Sequence, residues 1–236
     1  MKKILLFLTC LYFSIGMQAQ SLIGAWESLH ISKNNTPLKS IIIFTDGYHA
    51  TSTYNSKTGE FISTSGGSWK LKENILTGKI EFSTNTPELI GKELNLKITL
   101  NNSEMEIVDS DITYKKIDDG TPGKLKGAWL MSGRVRNGET QLRNTSGPRK
   151  TMKILSGTRF QWIAYNTETK QFMGTGGGTY TTIDGTYTEN IEFFSKDDSR
   201  VGASLKFDFK LDKGDWHHSG FSSKGDPLHE IWSLRK

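Results

Sequence analysis

Apolar and polar residues alternate over short stretches of this chain. Leu205, Phe207, Phe209 and Leu211 are interleaved with Lys206, Asp208 and Lys210, and Leu94, Leu96, Ile98 and Leu100 repeat the pattern earlier. A period of two is that of an antiparallel strand with one apolar face and one wet face. Helical spacing is hard to find beyond the N-terminal segment, and Gly, Thr, Ser and Asn punctuate the sequence as turns between short strands do. In the C-terminal half eight strands are predicted: Ala128–Val135, Thr151–Leu155, Arg159–Tyr165, Gln171–Thr182, Thr186–Phe194, Ala203–Leu211, Trp216–Ser222 and Leu228–Arg235. Asp184-Gly185 is a tight hairpin turn, and Asp212–Asp215 and Ser223–Asp226 are longer ones, so sequential neighbours pair antiparallel. Eight strands in order, with no helix to cover a face, remove their exposed edges by curling until the last pairs with the first. The polar stretch Arg136–Pro148 is long enough to lie over the mouth of such a barrel.

The pattern occurs twice. Tyr165–Tyr180, YNTETKQFMGTGGGTY, has a worn copy in Tyr54–Trp69, YNSKTGEFISTSGGSW, at an offset of 111 positions. The register extends to Ile80-Glu81-Phe82 against Ile191-Glu192-Phe193 and to Gly91 against Gly202, and each copy begins with Leu-x-Gly-Ala-Trp, at Leu22–Trp26 and Leu125–Trp129. A register held that long marks a tandem repeat. The fold expected is therefore all-β, two tandem small antiparallel up-and-down β-barrels, over residues 21–117 and 125–236, joined by the turn-rich linker 118–124 and touching each other. Gly176–Gly178 lie inside a predicted strand, where glycines cost stability, and mark a bend or bulge. A phosphate-binding loop would open a helix at that point, whereas Thr179–Thr182 continues as strand.

Residues 1–19 carry Lys2 and Lys3, an apolar run from Ile4 to Ile15 and a small residue, Ala19, where a signal peptidase would cut. Export to the periplasm or beyond the cell is expected. No later stretch approaches the roughly 20 apolar residues of a membrane helix. Cys10 is the only cysteine; Phe7-Leu8-Thr9 before it lack the small residues of a lipoprotein cleavage site, so lipid attachment is not expected. Loss of the leader leaves no cysteine, hence no disulfide, and lowers the formal net charge from +5 to +3. The basic residues are scattered, with no aromatic-interleaved stripe, which argues against nucleic acid as a partner.

Strand alternation sorts the polar residues of the second copy. Tyr187, Glu189, Ile191 and Phe193 share one face, as do Trp216, His218 and Gly220, and Leu228, Glu230, Trp232 and Leu234. Each face carries large apolar groups and is expected to point inward. Glu189, His218 and Glu230 then meet in the lumen, where buried carboxylates need partners. At the 111-residue offset Tyr187, Glu189, Trp216 and His218 become Leu76, Gly78, Met105 and Ile107, so only the second barrel keeps a polar interior. Three readings of the cluster stay open: a self-satisfied network, a small-molecule site, and catalysis or metal binding. His217 and His218 face opposite ways and cannot both ligate one ion, and His229 faces away from Glu230. No nucleophile elbow or His-x-x-x-His spacing is present.

The Gly-Ala-Trp of the first strand, with the strand count and the duplication, resembles the lipocalin and fatty-acid-binding (calycin-type) superfamily. In its second half the chain is similar to lipocalin-like secreted proteins of Bacteroidetes, through Gly176–Tyr180, Tyr187–Glu189, Trp216–Gly220 and Glu230–Trp232. The resemblance implies that Trp129 packs beside Arg235, and Trp26 beside Lys115 or Lys116, to close one end of each barrel. The aromatic lining and the polar interior of the second copy alone lean towards a binding protein rather than an enzyme, with no cofactor and no metal expected. The expected ligand is a small hydrophobic or amphipathic molecule held by Trp162, Tyr180, Tyr187, Trp216 and Trp232, its polar end oriented by Glu189, His218 and Glu230. The alternatives are an enzyme using the Glu/His cluster for acid–base chemistry on a sugar-like or cyclic substrate, and an interaction module without a ligand.

Overall fold

The computed structural model describes residues 21–110, 112–222 and 225–236. The leader and Cys10 lie outside them, as do Ser223 and Lys224 of an expected turn. The first barrel is built from β1 (Gly24–Ile31), β2 (Pro37–Phe44), β3 (Tyr48–Asn55), β4 (Phe61–Lys72), β5 (Ile75–Ser83), β6 (Glu93–Leu100), β7 (Glu104–Ile107) and β8 (Thr113–Asp118). Each strand pairs with the next, and β8 returns to β1, closing an antiparallel barrel. The second uses β9 (Gly127–Arg136), β10 (Glu139–Leu142), β11 (Arg149–Leu155), β12 (Arg159–Asn166), β13 (Phe172–Ile183), β14 (Thr186–Phe194), β15 (Ser204–Asp212), β16 (Asp215–Phe221) and β17 (Pro227–Leu234). Here β17 pairs back onto β9, so eight strands close and β10 hangs on β9 as a hairpin. Among the described residues no helix is long and apolar enough to cross a membrane.

Each lumen holds its own core. Leu22, Trp26, Ile42, Phe44, Ile98, Met105 and Tyr114 fill the first. Trp129, Leu155, Phe160, Tyr187, Trp216 and Trp232 belong to the second. The two Gly-x-Trp residues do the same job at equivalent places: Trp26 Nε1 donates to Leu22 O and Trp129 Nε1 to Leu125 O, both at 2.8 Å. Lys116 lies over Trp26, 4.9 Å from its ring centre, as the resemblance implies. Arg235 does otherwise. Its guanidinium crosses to the first barrel, stacks 4.1 Å from the Tyr48 ring centre and pairs with Glu81 at 2.8 Å. A half-buried guanidinium is held better by a two-pronged carboxylate contact than by an indole face alone.

A third core forms where the barrels meet, from Ala25, Ile41, Ile43, Tyr54 and Phe82 on one side and Ala128, Met152, Ile154, Tyr165 and Phe193 on the other. Its contacts come in reciprocal pairs across the repeat. The Tyr54 hydroxyl donates to Glu192 and the Tyr165 hydroxyl to Glu81, both at 2.6 Å. Tyr54 stacks on Phe193, Tyr165 packs on Phe82, both at 4.8 Å, and Phe61 stacks on its own counterpart Phe172 at 6.0 Å. Pairs exchanged in this way describe an isologous interface, the arrangement of a two-fold dimer here joined into one chain.

Phe193 belongs to this shared core and not to the lumen face expected for it. The cause is a register shift between Gly177 and Gly178 opposite β14, which places Ile191 across from Gly178 and Phe193 across from Gly177. One added residue on a strand reverses the sides of those beyond it. Gly178 has φ +159°, and a Cβ there would stand 2.0 Å from the carbonyl oxygen of Asn190. Gly178→Ala is expected to destabilise the protein by about 1–3 kcal/mol, seen as a lower urea midpoint. A wild-type midpoint would mean that the bulge relaxes.

Candidate functional site

The second lumen encloses a buried lysine. On β11 Met152 and Ile154 face the other barrel, so Lys153 and Leu155 face inward. The Lys153 ammonium donates to Glu189 Oε1 at 2.7 Å and lies 3.2 Å from His218 Nδ1. It also sits over three rings: Tyr187 at 5.2 Å, Trp216 at 5.0 Å and Trp232 at 5.3 Å from their centres. Its side chain, like that of Glu189, is only 7% exposed. An ammonium so deep is tolerated because a carboxylate and three π-faces replace its water. β14 supplies Tyr187 and Glu189, β16 supplies Trp216 and His218, and β17 supplies Glu230, whose carboxylate accepts from Trp232 Nε1 at 3.1 Å.

Burial, reinforced by the neighbouring Lys153 charge, holds the His218 imidazole well below its ordinary pKa, so the ring is neutral. An ammonium has only donors, so His218 Nδ1 accepts and the ring proton sits on Nε2. That Nε2 has no partner, and neither has Trp216 Nε1; both atoms are buried. Burial first, then the charge of Glu189 and the hydrogen bond to its carboxylate, pushes the Tyr187 proton loss far above the usual phenol range, so the hydroxyl stays a donor to Glu189. Glu230 is shifted up by burial, an effect that Lys153 partly offsets. The Tyr187, Trp216 and His218 rings are mutual neighbours, with centres 5.1 to 5.5 Å apart.

A recess of about 250 Å³ is lined by Leu130, Met131, Arg143, Asn144, Thr145, Arg149, Lys150 and Thr151. Thr151 is one inward position along β11 from Lys153, Met131 packs on the lumen core, and the Arg143 charge acts on Glu230. The segment expected over the mouth thus supplies part of the recess, although β10 within it was not predicted.

Of the residues expected around a ligand, Tyr180, Tyr187, Trp216 and Trp232 all belong to the lumen core, and Glu189 and His218 are buried with them. The Tyr180 hydroxyl is occupied by Ser156 O at 2.6 Å. Trp162 is partly buried and packs against the same core, with its ring against Phe194 at 5.5 Å. His217 and His229 face away from the lumen and contact each other at 3.2 Å. Lys153 is absent from the sequence-based set; the one signal for it is that its counterpart at the repeat offset, Ile42, is apolar. Among the described residues no group of three or more His, Cys, Asp or Glu could hold a metal ion.

Residues 124–234 match the family model of a domain of unknown function, DUF4488. The match takes in the whole second barrel. No curated protein matches the chain.

Proposed function

We propose that the chain is an exported, lipocalin-like, non-enzymatic binding protein whose second barrel takes a small molecule with an apolar body and one uncharged acceptor oxygen. The observation that carries this reading is the pair of buried donors without partners, Trp216 Nε1–H and His218 Nε2–H. Leaving such a group unpaired costs about 1–3 kcal/mol, and a carbonyl or hydroxyl oxygen of a ligand would satisfy them. An anion is disfavoured, because Lys153 is already matched by Glu189 and Glu230 lies beside them. The recess at the mouth, below the roughly 300–1,000 Å³ of drug-sized sites, would hold the apolar body. The first barrel, with Ile42, Leu76, Met105 and Ile107 inside, would serve as a scaffold that positions the second.

Native mass spectrometry of mature protein purified from its own host is expected to find a small uncharged molecule bound. Thr151→Trp, which fills the recess from its floor, is expected to abolish it. Protein that carries nothing, or a molecule retained in Thr151→Trp, would overturn the reading.

A further inference from the structure

A larger cavity lies elsewhere, in the cleft between the two barrels. It has a volume of about 560 Å³, and its walls include Phe44, Tyr48 and Trp69 of the first barrel and Leu155 and Leu234 of the second. That is within the range of sites that bury a drug-sized ligand. The walls are held in place. Trp69 Nε1 donates to the carbonyls of Thr45 at 2.9 Å and Tyr48 at 3.0 Å, and Phe44 packs edge-on to the Trp69 ring at 5.2 Å. Across the cleft, Ser156 is fixed by its hydrogen bond to Asp118 Oδ2 at 2.7 Å. Such a preformed cavity binds without a large ordering cost.

Its rim is lopsided in charge. Lys70, Lys126 and Arg235 line it against one acidic side chain, Asp46. Arg235 is matched by Glu81, but Lys70 and Lys126 make no ion pair among the described residues. We infer that the inter-barrel cleft is a second binding site, for a molecule with an elongated apolar body and an anionic head. The body lies between Trp69, Tyr48 and Leu234, and the head meets Lys70 and Lys126 at the rim. Only the joining of two barrels creates this site, since each contributes one wall. It is independent of the lumen, and neither assignment rests on the other.

The test uses the full mature chain, with dodecanoate as probe displacing anilinonaphthalene sulfonate, followed by fluorescence. Dodecanoate is expected to bind one per chain, and dodecyltrimethylammonium at least about tenfold more weakly. Lys70→Glu/Lys126→Glu is expected to weaken dodecanoate by about tenfold. Lys206→Glu/Lys210→Glu, an equal charge change on an exposed wall of the second barrel, leaves it unchanged, as does Thr151→Trp. Equal affinity for the two head groups, an unchanged constant in Lys70→Glu/Lys126→Glu, loss in Thr151→Trp, or no saturable binding below about 1 mM would each overturn the inference.

Discussion

Lys153→Ile is expected to lower stability by about 3–5 kcal/mol, read as a large fall in urea midpoint. The substitution removes the ammonium that Glu189 receives at 2.7 Å and leaves a carboxylate inside a ring of Tyr187, Trp216 and Trp232 with no cation. The lost rings' contact with Nζ adds to the cost, but the stranded charge dominates. Replacing both partners, Lys153→Ile with Glu189→Leu, is expected to recover most of the loss, because a well-packed apolar pair of similar volume avoids the desolvation altogether. The first barrel is the natural precedent. It carries Ile42 in place of the lysine and Gly78 in place of the glutamate, and the His49 ring lies 3.6 Å from where a Gly78 Cβ would be. A double-mutant cycle isolates the coupling of the pair. A single substitution costing under about 1 kcal/mol, or a double variant worse than the single, would show that the pair does not hold the lumen together.

Four of the residue pairs that stayed alike in the two copies touch across the interface. Tyr54 and Tyr165, Glu81 and Glu192, Phe82 and Phe193, and Phe61 and Phe172 carry the repeat in the sequence and form the reciprocal contacts in the structure. A symmetric interface constrains both halves alike, so it leaves the strongest mark on a sequence compared with itself. The lumens, free of that constraint, diverged into one apolar and one polar. The strand alternation was legible for the same elementary reason: β15, with Phe207 and Phe209 inward and Lys206 and Asp208 outward, has one wet face. On β11 the rule fails, because Met152 and Ile154 are buried against the other barrel while Lys153 is buried in the lumen. A strand covered on both sides gives no polar face from which to tell inward from outward. That is why the cation at the centre of the cluster escaped a reading that found its partners Glu189 and His218. β10 escaped for another reason: four exposed residues hanging on β9 carry no apolar alternation to see.

Acid is expected to unfold the protein through two histidines. Burial holds His49 at about 4 and keeps His218 well below its usual value. Both rings are depressed relative to the unfolded chain, which therefore binds more protons than the folded one as pH falls below about 6.5. Their contribution is intact above that pH and is lost as the pH drops towards the folded values. For His49 alone the loss reaches at most about 3 kcal/mol by pH 4. Glu230 works in the opposite sense, since its raised carboxyl gains its proton first in the folded state and opposes part of the loss as pH falls towards the ordinary carboxylate value. The second barrel places Phe160 where the first has His49, so His49→Phe is the conservative replacement. Urea midpoints of wild type should fall steeply between about pH 7 and about pH 4, and His49→Phe should flatten that slope with little change at neutral pH. The same slope in wild type and His49→Phe would mean that the ring takes up its proton without unfolding, and that its unpartnered Nδ1 has a way to water.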